Sequence, residues 1–137
     1  MKILIDTNII LDVLLSRAEH LNTSMTILQL ADSAFTGFIT VYQTRDIFYI
    51  LRRNGQSASE AKESVRLIST KLSLLNADSV DVINSLNSDM TDYEDALLAY
   101  CAMRQGINYI VTRNTKDFEQ SPIKALSPGE FIKIIAV

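Results

Sequence analysis

Three features of the sequence predict an α/β fold in which helices cover both faces of a parallel sheet. Short apolar runs alternate along the chain with longer segments of helical character. The first run, Lys2–Ile5, is continuously apolar after its lysine, as a strand buried on both faces requires. No repeat, low-complexity tract or Pro/Gly-rich linker interrupts the 137 residues, and both prolines fall near the end. Alternating strands and helices imply a parallel sheet, with any ligand crevice at the carboxyl ends of its strands.

The elements are expected in the following order. Lys2–Ile5 is the first strand, and residues 7–16 and 22–34 read as helices. A second strand spans 35–39, and Val41–Arg53 is a helix halted by Asn54 and Gly55, a C-terminal stop signal. Residues 57–72 carry charges at the spacing of an exposed amphipathic helix. Residues 73–77 read as a third strand and 80–88 as a short helix, and the helix at 92–105 is stopped by Gly106. Residues 107–111 repeat the buried-strand pattern, 123–126 form a last short strand, and Pro128–Ile135 closes the chain as a helix, since proline suits a first turn. The expectation is one domain over residues 1–137. A domain of this size buries about two-thirds of the surface its unfolded chain exposes, so it folds without disulfides or a structural metal.

Composition excludes several classes. The single Cys101 has no internal disulfide partner, and its apolar helical setting marks a structural thiol. One cysteine and one histidine, His20, are too few for a zinc site of the Cys/His kind. No apolar run approaches the roughly 18 residues of a membrane span, and Met1 is followed at once by Lys-Ile-Leu-Ile. Neither a signal peptide nor a membrane partner is expected, and the expected location is the cytoplasm. The net charge is −3, but Arg45, Arg52 and Arg53 gather in one segment and Arg104, Arg113 and Lys116 in another. An acidic protein still binds RNA when its carboxylates hold cations and arginines rim the site.

The acidic residues carry the functional signal. Asp6 directly follows the first strand, where it could simply cap the next helix. Asp46 sits within a helix, where Asp has poor propensity, with Tyr42, Tyr49 and Ile50 at helical spacing. A carboxylate on such a semi-apolar face needs an ion-pair partner or a cation. Thr91 to Glu94 has the form of a capping box with Thr91 as N-cap, which accounts for Asp92 and Glu94. Asp95, however, makes three acids in one turn, more than capping needs. The polar loop at 112–118, holding Thr112, Asn114 and Asp117, follows the fourth strand. Taken together, Asp6, Asp46, Asp95 and Asp117 are expected to converge on one crevice at the strands' carboxyl ends. Carboxylates that close raise one another's pKa unless a cation neutralises them. Oxygen-only ligands favour magnesium, manganese or calcium over zinc or copper, and phosphodiester cleavage uses such a site.

These motifs resemble those of the PIN domain family across nearly the whole chain. Ile5-Asp6-Thr7-Asn8 with Leu11-Asp12 resembles the opening motif, and residues 39–47 the second. Asp92-Tyr93-Glu94-Asp95-Ala96 resembles the third, and Val111-Thr112-Arg113-Asn114 followed by Asp117-Phe118 the fourth. The resemblance implies a three-layer α/β/α sandwich around a mostly parallel sheet of four or five strands. It further implies ribonuclease activity dependent on Mg2+ or Mn2+. Asp6, Asp46, Asp95 and Asp117 would form the catalytic and metal-binding core. Asp92, Asn114 and Asn8 would support it, with Thr112 orienting a carboxylate or the attacking water. Asp46 stands where the family usually has Glu, so its metal contact would pass through water, and many relatives carry their fourth acid at the place of Asn114. Asp12 reads as structural, paired with a nearby base. Arg113 is expected on the RNA backbone or in an ion pair with Asp92 or Glu119, and Arg52 and Arg53 would extend the RNA track. RNA is the implied substrate, and a cognate antitoxin and a homodimer are implied partners.

Rival readings are a catalytically inactive module of the same fold, a phosphatase with an aspartyl nucleophile, and a response regulator. The phosphatases place a second Asp two residues after the first, where this chain has Asn8. A response regulator needs an acidic pair before its Asp and a late Lys after a strand, and neither is evident.

Overall fold

The structure, a computed structural model, describes residues 1–136. Its centre is a five-stranded, wholly parallel sheet in the order β3-β2-β1-β4-β5. The strands are β1 (Lys2–Ile5), β2 (Thr36–Thr40), β3 (Ser73–Leu75), β4 (Tyr109–Val111) and β5 (Ala125–Leu126). The helices are α1 (Thr7–Leu14), α2 (Leu21–Leu30), α3 (Val41–Arg53), α4 (Ala58–Lys71), α5 (Ser79–Leu86), α6 (Tyr93–Arg104) and α7 (Pro128–Ile135), with a 3-10 turn at Thr115–Phe118. Among the described residues no helix is long and apolar enough to cross a membrane.

Strand alternation sorts the core into two layers. Ile3, Ile5, Ile39 and Val111 enter a cluster that also holds Ile9, Ile47, Leu51, Ile68 and Phe131, and so joins the sheet to α1, α2, α3, α4 and α7. Leu4 and Ile110 enter the opposite cluster, with Leu98, Ala99 and Ala102 of α6. The three-layer sandwich follows.

Most expected elements exist, with shifted ends. The first two helices are shorter than 7–16 and 22–34 because Ser16 (φ 50°) and Asp32 (φ 72°) adopt left-handed backbone conformations, which a helix does not continue through. The second strand begins and ends one residue later than expected. The third, fourth and fifth strands are shorter than expected, and part of the polar loop after β4 coils into the 3-10 turn. Gly55 (φ 94°) and Gly106 (φ 73°) supply the left-handed turns just beyond α3 and α6, as anticipated.

The strand order has a functional consequence. From β1 the chain steps outward to β2 and β3, then returns to the other side of β1 for β4 and β5. The order reverses between β1 and β4, and a crevice opens at their carboxyl ends.

Candidate active site

Asp6 stands at that reversal. Its backbone N–H continues the sheet by donating to Val111 O (3.0 Å). The residue is only 5% exposed. One carboxylate oxygen accepts from Thr7 N (2.8 Å), capping α1, and the other accepts from Thr112 Oγ (2.8 Å) just after β4. Thr112 Oγ in turn accepts from Asn114 N (3.0 Å). Asp6 is therefore both a cap and an oriented pocket carboxylate, so the two readings of its role are compatible.

Behind Asp6 lies a buried amide that the sequence reading missed. Gln43, fully buried in the first turn of α3, closes a capping box with Thr40. Its Nε2 donates to Ile5 O (2.7 Å) and Thr7 Oγ (3.3 Å), clamping the backbone on both sides of Asp6. The Thr40/Gln43 spacing could have marked the box. The tie to β1 was not readable.

α6 brings the facing acids, but its cap differs from expectation. Asp92, not Thr91, is the N-cap, accepting from Asp95 N (2.9 Å). Glu94 does not reach back to cap, and its side chain lines the pocket. Asp95 is half-buried, and its carboxyl is pushed up to about 7, first by burial and then by the charges of Asp92, Asp6, Asp117 and Glu94. Asp6 is also raised, chiefly by burial, with Thr112 and Thr7 opposing. Burial raises Asp46, and Arg45 partly offsets it. The field of Asp46 falls on Glu94, whose carboxyl is raised by Asp46 first and by burial next.

One cavity of about 220 Å3 is lined by all four expected core acids, Asp6, Asp46, Asp95 and Asp117. Asp92, Glu94, Asn8 and Asn114 also line it, with Ile50, Leu98 and Phe118 among the apolar wall residues. Among the described residues no ion pair reaches any of the four core acids. Nor do three acidic, histidine or cysteine side chains there form a group able to hold one metal ion. The acids surround a space, and they do not close on a point. Every charged or polar group lining the cavity offers oxygen or amide donors and none offers sulfur or imidazole, a set suited to a hard, hydrated divalent cation.

The arginines expected on RNA stand elsewhere. Arg113 does not line the cavity. It grips the fully buried Asp12 through Nε (3.0 Å) and Nη2 (3.1 Å), and its Nη1 lies 3.2 Å from His20 Nε2. Its ion-pair partner is thus Asp12, rather than Asp92 or Glu119, because α1 carries Asp12 beneath the loop after β4. Asp12 also accepts from Ser24 Oγ (2.8 Å) and pairs with Arg17 (3.4 Å). Arg52 and Arg53 are exposed about two turns beyond Asp46, with Arg52 donating to Gln56 O (3.2 Å), and neither lines the cavity.

Comparison with known proteins agrees with this architecture. The PIN domain family model matches residues 2–116. Among solved structures, a chain of VapBC2 from Rickettsia felis, bound to a promoter DNA fragment, is 15% identical with TM-score 0.73, covering 93% of this chain and 98% of that one. FitAcB from Neisseria gonorrhoeae is 16% identical with TM-score 0.71, covering 93% and 98%. A toxin–antitoxin complex from Klebsiella pneumoniae is 20% identical with TM-score 0.67, covering 91% and 96%. Comparison with curated protein sequences gives no match. The motifs, the parallel sheet with its reversal beside Asp6, and a family match spanning most of the sequence agree: the chain belongs to the PIN domain family.

Proposed function

We propose that this protein is a metal-dependent ribonuclease that hydrolyses RNA phosphodiester bonds and acts as the toxin of a toxin–antitoxin pair. The observation carrying this reading is the gathering of unpaired carboxylates in one cavity at the β1/β4 reversal. As it stands, the cavity repels a phosphate, so RNA can enter only with its charge neutralised. Asp6, Asp95 and Asp117 are the residues that would hold Mg2+ or Mn2+, one or two of them directly and the others, like Asp46, through water. Among the described residues no three Asp, Glu, His or Cys side chains gather around one point, an arrangement compatible with magnesium, an ion that keeps several waters and takes one or two carboxylates plus substrate phosphate. When bound, such an ion lowers the pKa of water and offsets charge on the leaving oxygen.

The chain's own groups supply the rest. Thr7 and Thr112 hold the Asp6 carboxylate in one orientation, and Gln43 holds the backbone beneath it. Asn8 and Asn114 offer amide donors to the nonbridging phosphate oxygens from the cavity wall. Hydrolysis joins the water oxygen to phosphorus and breaks the bond to the departing ribose oxygen. Glu94, a pocket carboxylate outside the proposed ligand set, would accept the water's proton, and the departing ribose oxygen would take one from solvent. The similar structures include a toxin–antitoxin complex, which supports a cognate antitoxin as protein partner.

A second reading is an inactive module of the same fold, favoured by the lack of three converging Asp, Glu, His or Cys side chains among the described residues. Incubation of structured RNAs with Mn2+ or with EDTA, beside Asp6→Asn, separates the two. Mn2+-dependent cleavage lost in Asp6→Asn supports the nuclease. RNA binding without cleavage supports the inactive module.

A further inference from the structure

We infer that a groove beside the acidic cavity is a nucleobase subsite, taking an unpaired nucleotide of a single-stranded RNA next to the bond to be cut. This inference rests on the ribonuclease reading and deepens it by assigning named residues to a base-binding subsite beside the acids. The groove, about 660 Å3, shares Asp46, Glu94 and Leu98 with the acidic cavity, so a strand leaving one enters the other. Its further lining includes Tyr42, Tyr93 and Arg45. Tyr93, at the start of α6, is 45% exposed. The Tyr42 hydroxyl donates to Asp81 (3.0 Å) and accepts from Asp78 N (3.1 Å). That anchoring fixes the ring in advance, so little side-chain entropy is lost when a flat ligand settles on it.

Charge selects the part of the nucleotide that fits. Asp46 and Glu94 on the shared rim oppose a second phosphate, whereas a base is flat and uncharged. Arg45 is exposed on the groove's wall and carries a positive charge for the flanking phosphate. Stacking on aromatic rings is sequence-tolerant, because every base has a π-face. A paired duplex buries its bases within the stack and cannot offer one to the groove.

The test measures binding of a labelled, unstructured RNA of about 12 nucleotides to the full chain in Ca2+, with Mn2+-dependent cleavage in parallel. Tyr93→Ala is expected to weaken binding roughly tenfold and to raise KM with kcat nearly unchanged, the effect of losing one base–aromatic stack. Tyr93→Phe keeps the ring and should match wild type. The salt slope of Tyr93→Ala should equal that of wild type, while Arg45→Ala should lower it by roughly 0.7. Unchanged RNA affinity in Tyr93→Ala, with wild type still cleaving RNA, overturns the subsite and leaves the nuclease reading standing. An equal loss in Tyr93→Phe also overturns it. Loss in Tyr93→Ala of a protein partner's binding alone would reassign the groove to that partner. A wild type that neither binds nor cleaves RNA overturns both readings.

Discussion

Asp6 and Asp12 are six residues apart, one capping α1 and the other within it, and both are buried, at 5% and 0% exposure. Their surroundings differ completely. Asp12 is held by two arginines and a serine. Asp81, also fully buried, is treated the same way. Burial raises its carboxyl, but hydrogen bonds from Arg104 and Tyr42 outweigh this and hold it below the ordinary range. Asp6 has only neutral donors, and the nearby Asp95 faces further carboxylates. A buried carboxylate is costly unless paired, and this fold pairs two of its buried aspartates with arginine while leaving Asp6 without one. The contrast separates Asp12 and Asp81, each tied to an arginine, from the cavity acids, which the proposed function assigns to a cation.

Removing the arginines should break the structural half of the contrast. Arg104→Met strands Asp81 and should cost about 3–5 kcal/mol, read as a lower midpoint of urea unfolding at unchanged slope. Arg113→Ala removes the bidentate partner of Asp12 but leaves Ser24 and Arg17 in place. The cost should be roughly 2–3 kcal/mol, and the salt dependence of RNA binding should stay that of wild type. A lowered salt slope would return Arg113 to the RNA track.

The cavity acids should behave in the opposite sense. A carboxyl raised to about 7 on folding binds more protons folded than unfolded. Its contribution to stability is complete below the ordinary carboxyl range and is lost as pH climbs through about 7. Metal-free Asp95→Asn should therefore match or trail wild type near pH 4, yet melt roughly 3–6 °C higher at pH 8. A lower melting point for the variant at pH 8 would make Asp95 a structural group like Asp81.

The sequence carried much of the fold and part of this contrast. The apolar runs at Lys2–Ile5 and before Thr112 were readable as buried strands, and the parallel-sheet rule then put Asp6 and the following loop at one end. Strand order was not readable, because periodicity does not say which strands become neighbours. The pairing of Arg113 with Asp12 depends on α1 passing under the β4 loop, and that of Arg104 with Asp81 on α5 packing against α6. Thr91 fits the N-cap of a capping box as well as Asp92 does, so the pattern alone ties Glu94 to the cap. The structure settles it through one hydrogen bond, Asp95 N to Asp92. Gln43 escaped notice because an amide signals its role only when its partners are known.

The central claim is that the cavity acids form a cation site, and a metal-linked melting experiment at pH 7.5 tests it directly. Ligand that binds only the folded state at a hundredfold excess over its Kd stabilises by about 2.7 kcal/mol. For a chain of this size that corresponds to a Tm increase of roughly 9 °C. Titration with Mn2+ should produce a saturable increase of that order in wild type, and Asp6→Asn and Asp95→Asn should lose most of it. Arg113→Ala should keep it, from a lower starting Tm. A wild type that Mn2+ does not stabilise, or Asp6→Asn and Asp95→Asn variants stabilised as much as wild type, would contradict the account.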